Sequence, residues 1–367
     1  MTFTPADRSP KHPKETLQRA LLSSTSYFTG EYEDEGILIT HAFPGMRDRH
    51  AMQKMMEGPL SRSAFIASFD TSPPGRSLGV VLPDYTWVGD TLAAFLSVLY
   101  GKRFDNHGMI EMLGRFALPD MSSLAGVNNS LLAHNSHEVR TNFPIKLELM
   151  QFRRIVSFFS LRHLNEKFSV SFEGACSFYA RALRLCETDP EVAYLHLITA
   201  GEILSAYFER TPDELFDEST KQAMRTIEAI VPDGERISSL LKGRLLQVKR
   251  RFVLAFSELV DESFFENPEQ RTGIGTIQVA EFKTAIGAAY DLRSKFVHTG
   301  ANFGGWVAPR SDRVDVFGGV PSLADRELAK TISKAPTFNG LERIVRYALL
   351  RFAGTAGREI FPNLLVE

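Results

Sequence analysis

Residues Ile277–His298 read IQVAEFKTAIGAAYDLRSKFVH, and their periodicity decides the class of the C-terminal half. At 100° per residue Phe282, Ile286, Ala289 and Phe296 fall on one face, the pattern of a helix buried along one side. Arg293 lies almost in the middle of that stripe, seven residues after Ile286. A guanidinium on an apolar face is costly to bury unless it is paired and hydrogen-bonded, or snorkels from the helix end. Glu202 poses the same problem with opposite sign. It shares one side of the helical stretch Glu191–Phe208 with Leu195, Ile198 and Ala206. Pairing the two would satisfy both, and an antiparallel bundle can bring such faces together. An ion pair that merely anchors the bundle explains Arg293 as well as a reactive site does.

His298 ends the helix, followed by Thr299 and Gly300. Five residues separate it from Arg293, about 140° around an ideal helix and about 7.5 Å along it. The two side chains therefore do not share a face of one regular helix. To serve one site, either the last turn distorts or a second copy of the helix supplies the other half. An imidazole can act as general acid or base near neutral pH, and an arginine can grip a phosphate through forked hydrogen bonds. The spacing alone carries little weight, since a chain with 29 Arg and 9 His yields one such pair about 0.7 times by chance.

The chain changes texture near its middle. Helical periodicity fills the second half, in Phe172–Cys186, Glu191–Phe208, Asp213–Val231, Arg236–Val260, Ile277–His298 and Leu341–Phe352. Pro190 and Pro212 stand at or before first helical turns, where a missing N–H costs little. Gly243 interrupts Ser238–Val260, which is one long helix or two. Gly300–Ser322, rich in Gly and polar residues, reads as a loop or short hairpin. The first half mixes short apolar runs with breakers. Gly36–Thr40, Ala64–Phe69 and Leu78–Leu82 suit strands, and Ser72–Gly75 suits a turn. Asp90–Tyr100 reads as a helix capped by Asp90 and stopped at Gly101. The expected fold class is an α+β N-terminal domain followed by an all-α helical bundle.

The 367 residues carry 42 Lys plus Arg against 44 Asp plus Glu, so nothing in the bulk charge marks a polyanion binder. Two cysteines, Cys176 and Cys186, supply neither a disulfide framework nor a four-thiolate metal site, and they read as small core residues. His134 and His137 stand three apart, but Asn135 and Ser136 suggest a loop, and no metal or cofactor is expected. No apolar run approaches the roughly 18 residues of a membrane span. Met1–Glu15 holds Pro5, Pro10 and Pro13 instead of an apolar signal core, so the expected location is cytoplasmic.

Tyr290-Asp-Leu-Arg293-Ser-Lys-Phe-Val-His298-Thr-Gly300 resembles the signature of HEPN domains, particularly the Apea-like group, and Ala200-Gly-Glu202-Ile-Leu204 resembles that family's earlier acidic helix. The likeness covers about Phe172 to Phe361. With the change of texture it gives an α+β domain at 1–165 and a HEPN-like helical domain at 166–367, and the likeness implies that the helical domain forms a homodimer through the motif helices. It further implies a metal-independent endoribonuclease that cuts single-stranded RNA, with a place in stress response or defence. Arg293 and His298 would be the catalytic pair, and Glu202 would orient Arg293. The position after the arginine, often Asn, Asp or His in active members, is here Ser294, which can still hydrogen-bond. Some HEPN domains bind RNA or partners without cutting, so a non-catalytic dimerisation or RNA-binding module is the rival reading. A sensor or scaffold acting through the N-terminal domain is another, and the ligand of that domain is open.

Two weaker features attach to this reading. Lys242, Arg244, Lys249, Arg250 and Arg251 form the densest basic stretch, which can track an RNA backbone or simply be a solvated helix face. Tyr290, one turn before Arg293, can stack on a base or be ordinary packing.

Overall fold

A computed structural model of the chain describes residues 15–34, 36–43, 62–72, 83–163, 165–244, 247–270 and 274–360. Two compact units result, one from residues 15–139 and 145–155, the other from 140–144 and 156–360. The expected strand Leu78–Leu82 and residues 73–75 of the expected turn lie outside the described residues.

The first unit is built on an antiparallel sheet. Its strands are β1 (Leu17–Ser24), β2 (Tyr32–Asp34), β3 (Ile37–His41), β4 (Ser63–Asp70), β5 (Phe104–Met112) and β6 (Arg115–Phe116), in the order β2-β3-β4-β1-β5-β6. In β4 every second residue is buried, as a strand with one face on the core requires. Leu22 of β1 stands opposite Phe65 of β4. Phe28 packs edge-on against Phe65 and Tyr100 at the centre of this core. Helix α1 (Thr86–Tyr100) packs on β1 and β5 and stops at Gly101, whose left-handed backbone (φ 63°) suits glycine. The start differs from expectation. Asp90 lies inside α1, one turn past the N-terminus, and Tyr85 occupies the cap position without a side-chain bond.

The second unit is mostly helical. It comprises α2 (Glu166–Leu185), α3 (Pro190–Tyr207), the short α4 (Pro212–Leu215), α5 (Glu218–Ile230), α6 (Gly234–Arg244), α7 (Val248–Leu259), the short α8 (Glu262–Glu266), α9 (Val279–Thr299), α10 (Arg326–Lys334) and α11 (Phe338–Ile360). Asp189 caps α3 by accepting from the Val192 N–H, with Pro190 in the first turn. The stretch Asp213–Val231 is two helices, because Asp217 caps a fresh start at α5. Arg236–Val260 is also two, and the break falls beyond Arg244, with Gln247 left-handed (φ 46°) before α7. Gly300–Ser322 holds a single 3-10 turn, Gly304–Val307, and Val316 bridges to Pro336. Nothing in the apolar spacing had marked α10.

Helices α2, α3, α7 and α11 enclose the core, with α3 touching each of the other three. Gly201 sets how closely α3 and α7 approach. A Cβ built there would stand 2.5 Å from ring atoms of both Phe252 and Phe256. Gly201→Ala should therefore cost about 1–3 kcal/mol through overpacking, read as a lower urea midpoint at unchanged slope. An alanine variant as stable as the parent would show that α7 can retreat freely.

A network of charged side chains runs through the interior of this unit. Arg140 donates to Glu269 at 2.7 Å and grips both carboxylate oxygens of Glu342 at 2.9 and 2.6 Å, all of them buried. The Tyr179 hydroxyl also donates to Glu342. Arg343 bonds both oxygens of Asp315, at 3.0 and 2.5 Å, and the side-chain oxygen of Asn142 at 2.7 Å, with its guanidinium 3.8 Å above the Phe264 ring. Arg346 donates to the Asn142 carbonyl at 2.7 Å. Burial, then the like charge of Arg140, bring the Arg346 guanidinium down to about 10. Three arginines and three carboxylates thus balance in the dark, and residues 140–144 are held in the helical unit by them.

Candidate functional site

Helices α3 and α9 place Glu202 and Arg293 against each other. Arg293 Nη2 donates to Glu202 Oε2 at 3.4 Å, with the arginine side chain 30 % exposed and the glutamate 18 %. The other guanidinium nitrogens of Arg293 find no hydrogen-bond partner among the described residues. A long, half-solvated pair of this kind contributes little to stability and leaves donors available. The Arg293 guanidinium also lies over the Tyr290 ring, 5.8 Å from its centroid. Tyr290 packs on Phe252 at 5.5 Å, so its ring is part of the α7–α9 contact. Burial and then the neighbouring Glu202 carboxylate raise the Tyr290 phenol above its ordinary value, so it stays protonated at neutral pH.

His298 sits on the last turn of α9, exposed, with no hydrogen bond or ion pair among the described residues. The helix stays regular through Thr299 and closes at Gly300 with a left-handed residue (φ 66°). The last turn does not distort, so within one chain Arg293 and His298 keep the separation of about 140° set by helix geometry. Beyond Gly300 the chain folds back on α3: Glu191 Oε1 accepts from the N–H groups of Phe303 and Gly304 at 2.6 and 2.7 Å, and Phe303 packs on Phe296. That clamp fixes the end of α9 beside the start of α3. Ser294 is half-buried, with no side-chain hydrogen bond among the described residues.

The basic stretch does not form one patch. Lys249 reaches across to α9 and bonds both oxygens of Asp291 at 2.7 Å. Arg250 turns the other way and donates to the Glu214 carbonyl at 3.0 Å. The Nε of Arg251 is buried without a partner. Lys242, on a separate helix, pairs with Glu228 at 2.9 Å. Successive residues of one helix point about 100° apart, so Lys249 and Arg250 reach different neighbours.

His137 stacks on Tyr27 at 3.9 Å and accepts from its N–H at 3.1 Å, which removes it as a ligand beside His134. Among the described residues no group of three or more His, Cys, Asp or Glu is disposed to hold a metal. His107 bridges the Ser23 hydroxyl at 2.8 Å and the Asp120 carbonyl at 2.9 Å, a Ser–His contact that sequence spacing could not reveal. Ser23 is wholly buried, so this pair braces β1 against β5. Lys102 is likewise buried, donating to the Ala133 carbonyl at 2.6 Å and the Ser136 hydroxyl at 3.1 Å. Both cysteines are buried and unlinked, and burial raises the Cys176 thiol well above its ordinary value. No described helix is long and apolar enough to cross a membrane. Set against family models, curated proteins and solved structures, the chain matches none.

Proposed function

We propose that the protein is a metal-independent endoribonuclease of HEPN type, acting on single-stranded RNA as a homodimer assembled through α9. The observation that carries this reading is the disposition of Arg293: half-exposed, steadied by Glu202 at 3.4 Å, with donors left for a phosphate. Because His298 of the same chain points about 140° away, a working centre combines Arg293 of one copy with His298 of a second, related by a two-fold axis. In the reaction the ribose 2′-oxygen attacks the adjacent phosphorus and the 5′-oxygen leaves. The 2′-hydroxyl proton is lost and the leaving oxygen gains one, so the products are a cyclic phosphate and a 5′-hydroxyl end. His298 moves one of these protons, and Arg293 stabilises the charge that builds on the phosphoryl oxygens.

The test is cleavage of labelled single-stranded RNA in EDTA. Arg293→Ala and His298→Ala should each slow cutting by about 10²–10⁴-fold, the span of a lost acid–base or charge-stabilising group. Cutting that survives either substitution sinks the proposed pair. The non-catalytic module is favoured by one specific feature, Ser294 after the arginine. On that reading RNA binds uncut, and the two substitutions change affinity alone.

A further inference from the structure

We propose that the groove between α7, α9 and α10 is a track for the phosphate backbone of an RNA strand, leading along α9 to His298; this rests on the ribonuclease reading above. The groove has a volume of about 340 Å³ and is open to solvent. Four lysines from three helices line it, Lys249, Lys283, Lys330 and Lys334, against two carboxylates, Asp291 and Glu327. Both carboxylates are already engaged, Asp291 by Lys249 at 2.7 Å and Glu327 by Lys330 at 2.9 Å. Lys283 and Lys334 have no ion pair among the described residues. The groove is therefore net positive, with two cations uncommitted, although the chain as a whole carries a net charge of −2.

Shape supports the same ligand. The α9 side of the groove is floored by Thr284, Gly287 and Ala288, short residues that leave room above the helix. Lys283 to Asp291 spans about 12 Å of helix axis, longer than one phosphate group. Past Asp291 the positive line continues. Lys295 follows one turn on, close enough that its charge lowers the carboxyl groups of Asp325 and Glu327, after the stronger effect of their own hydrogen bonds. His298 comes seven residues after Asp291, which returns it to within about 20° of the same face, about 10.5 Å further along. A strand on these lysines is thus led to the imidazole, while Arg293 on the far side of α9 is left for the partner's strand. A second hollow of about 430 Å³ shares Thr284 and Lys334 with the groove and is walled by Val316 and Phe317, a place for a base beside the backbone track.

The experiment is binding of a fluorescent single-stranded oligoribonucleotide to the full chain in EDTA, followed by anisotropy across a salt series. Lys283→Gln/Lys334→Gln should weaken binding at least about tenfold and reduce the slope of log K against log salt by about 1.4, two phosphates at about 0.7 each. Lys283→Arg/Lys334→Arg should restore both, and the thermal transition should stay that of the parent in each variant. If the parent binds RNA and the glutamine pair binds equally well with the same slope, the track is overturned and the ribonuclease reading stands. If affinity does not rise from a mononucleotide to an oligomer, the groove holds a single phosphate and the track is overturned. If the parent neither binds nor cuts RNA, both fall together.

Discussion

Arg140→Ala is expected to destabilise the helical unit by about 3–5 kcal/mol, the cost of stranding buried charge when one partner is removed. Glu269 and Glu342 both lie in the interior against Arg140, which donates to both, and Arg343 and Arg346 add their charge to the same cluster. Burial, the largest single influence, would raise the Glu269 carboxyl, yet the charge and hydrogen bond of Arg140, joined by Arg343 and Arg346, hold the group below its ordinary value. Without the arginine that balance reverses, and at neutral pH the protein must either take up a proton or open. Chemical denaturation followed by circular dichroism would show the loss as a lower midpoint. The pH dependence should then change sign of slope below neutrality, since protonating the stranded carboxylates relieves the variant while it harms the parent. A loss below about 1 kcal/mol would mean that water enters the network and the charges are not truly interior.

Mixing the two inactive variants gives the second large effect. If each centre takes Arg293 from one chain and His298 from the other, a heterodimer of Arg293→Ala with His298→Ala has one centre with both native residues and one with neither. Random exchange of subunits makes about half the dimers mixed, so cutting should return to about a quarter of the parent rate. Each variant alone is expected to remain about 10²–10⁴-fold down, so the rescue stands far above background. A mixture as inactive as its components would place both residues of each centre on one chain, against the regular last turn of α9.

The long helices of the second half were legible because their apolar faces repeat at 3.6 residues, and Glu202 opposite Arg293 followed from two charges lying on such faces. Other parts obeyed rules that periodicity does not carry. β1, read as LQRALLSS, buries Gln18, Ser23 and Ser24, each satisfied by a distant partner such as Thr71, His107 or the Arg103 carbonyl. β5 holds Asp105, Asn106, His107 and Gly108 within one strand, a composition that argues against a strand when its neighbours are unknown. The interior arginines of α11 were hidden for the same reason. Arg343 and Arg346 are tolerated inside because Asp315, Asn142 and backbone carbonyls, remote in sequence, meet them there. The lysine groove is assembled from three helices that no local pattern joins. Only His298, on the same face as Asp291, could have been placed by counting.

Residues 140–144 carry a consequence for how this protein can be divided. The chain enters the helical unit at Arg140, returns to the sheet unit for 145–155, and enters the helical unit again at 156. A fragment cut before Glu166 keeps the helices but loses Arg140 and Asn142, the groups that neutralise Glu342 and orient Arg343. The halves are stitched, not strung in tandem. Neither can be exchanged as a cassette by recombination at the midpoint, and a graft that keeps the helical unit intact must carry the chain from Arg140 onward.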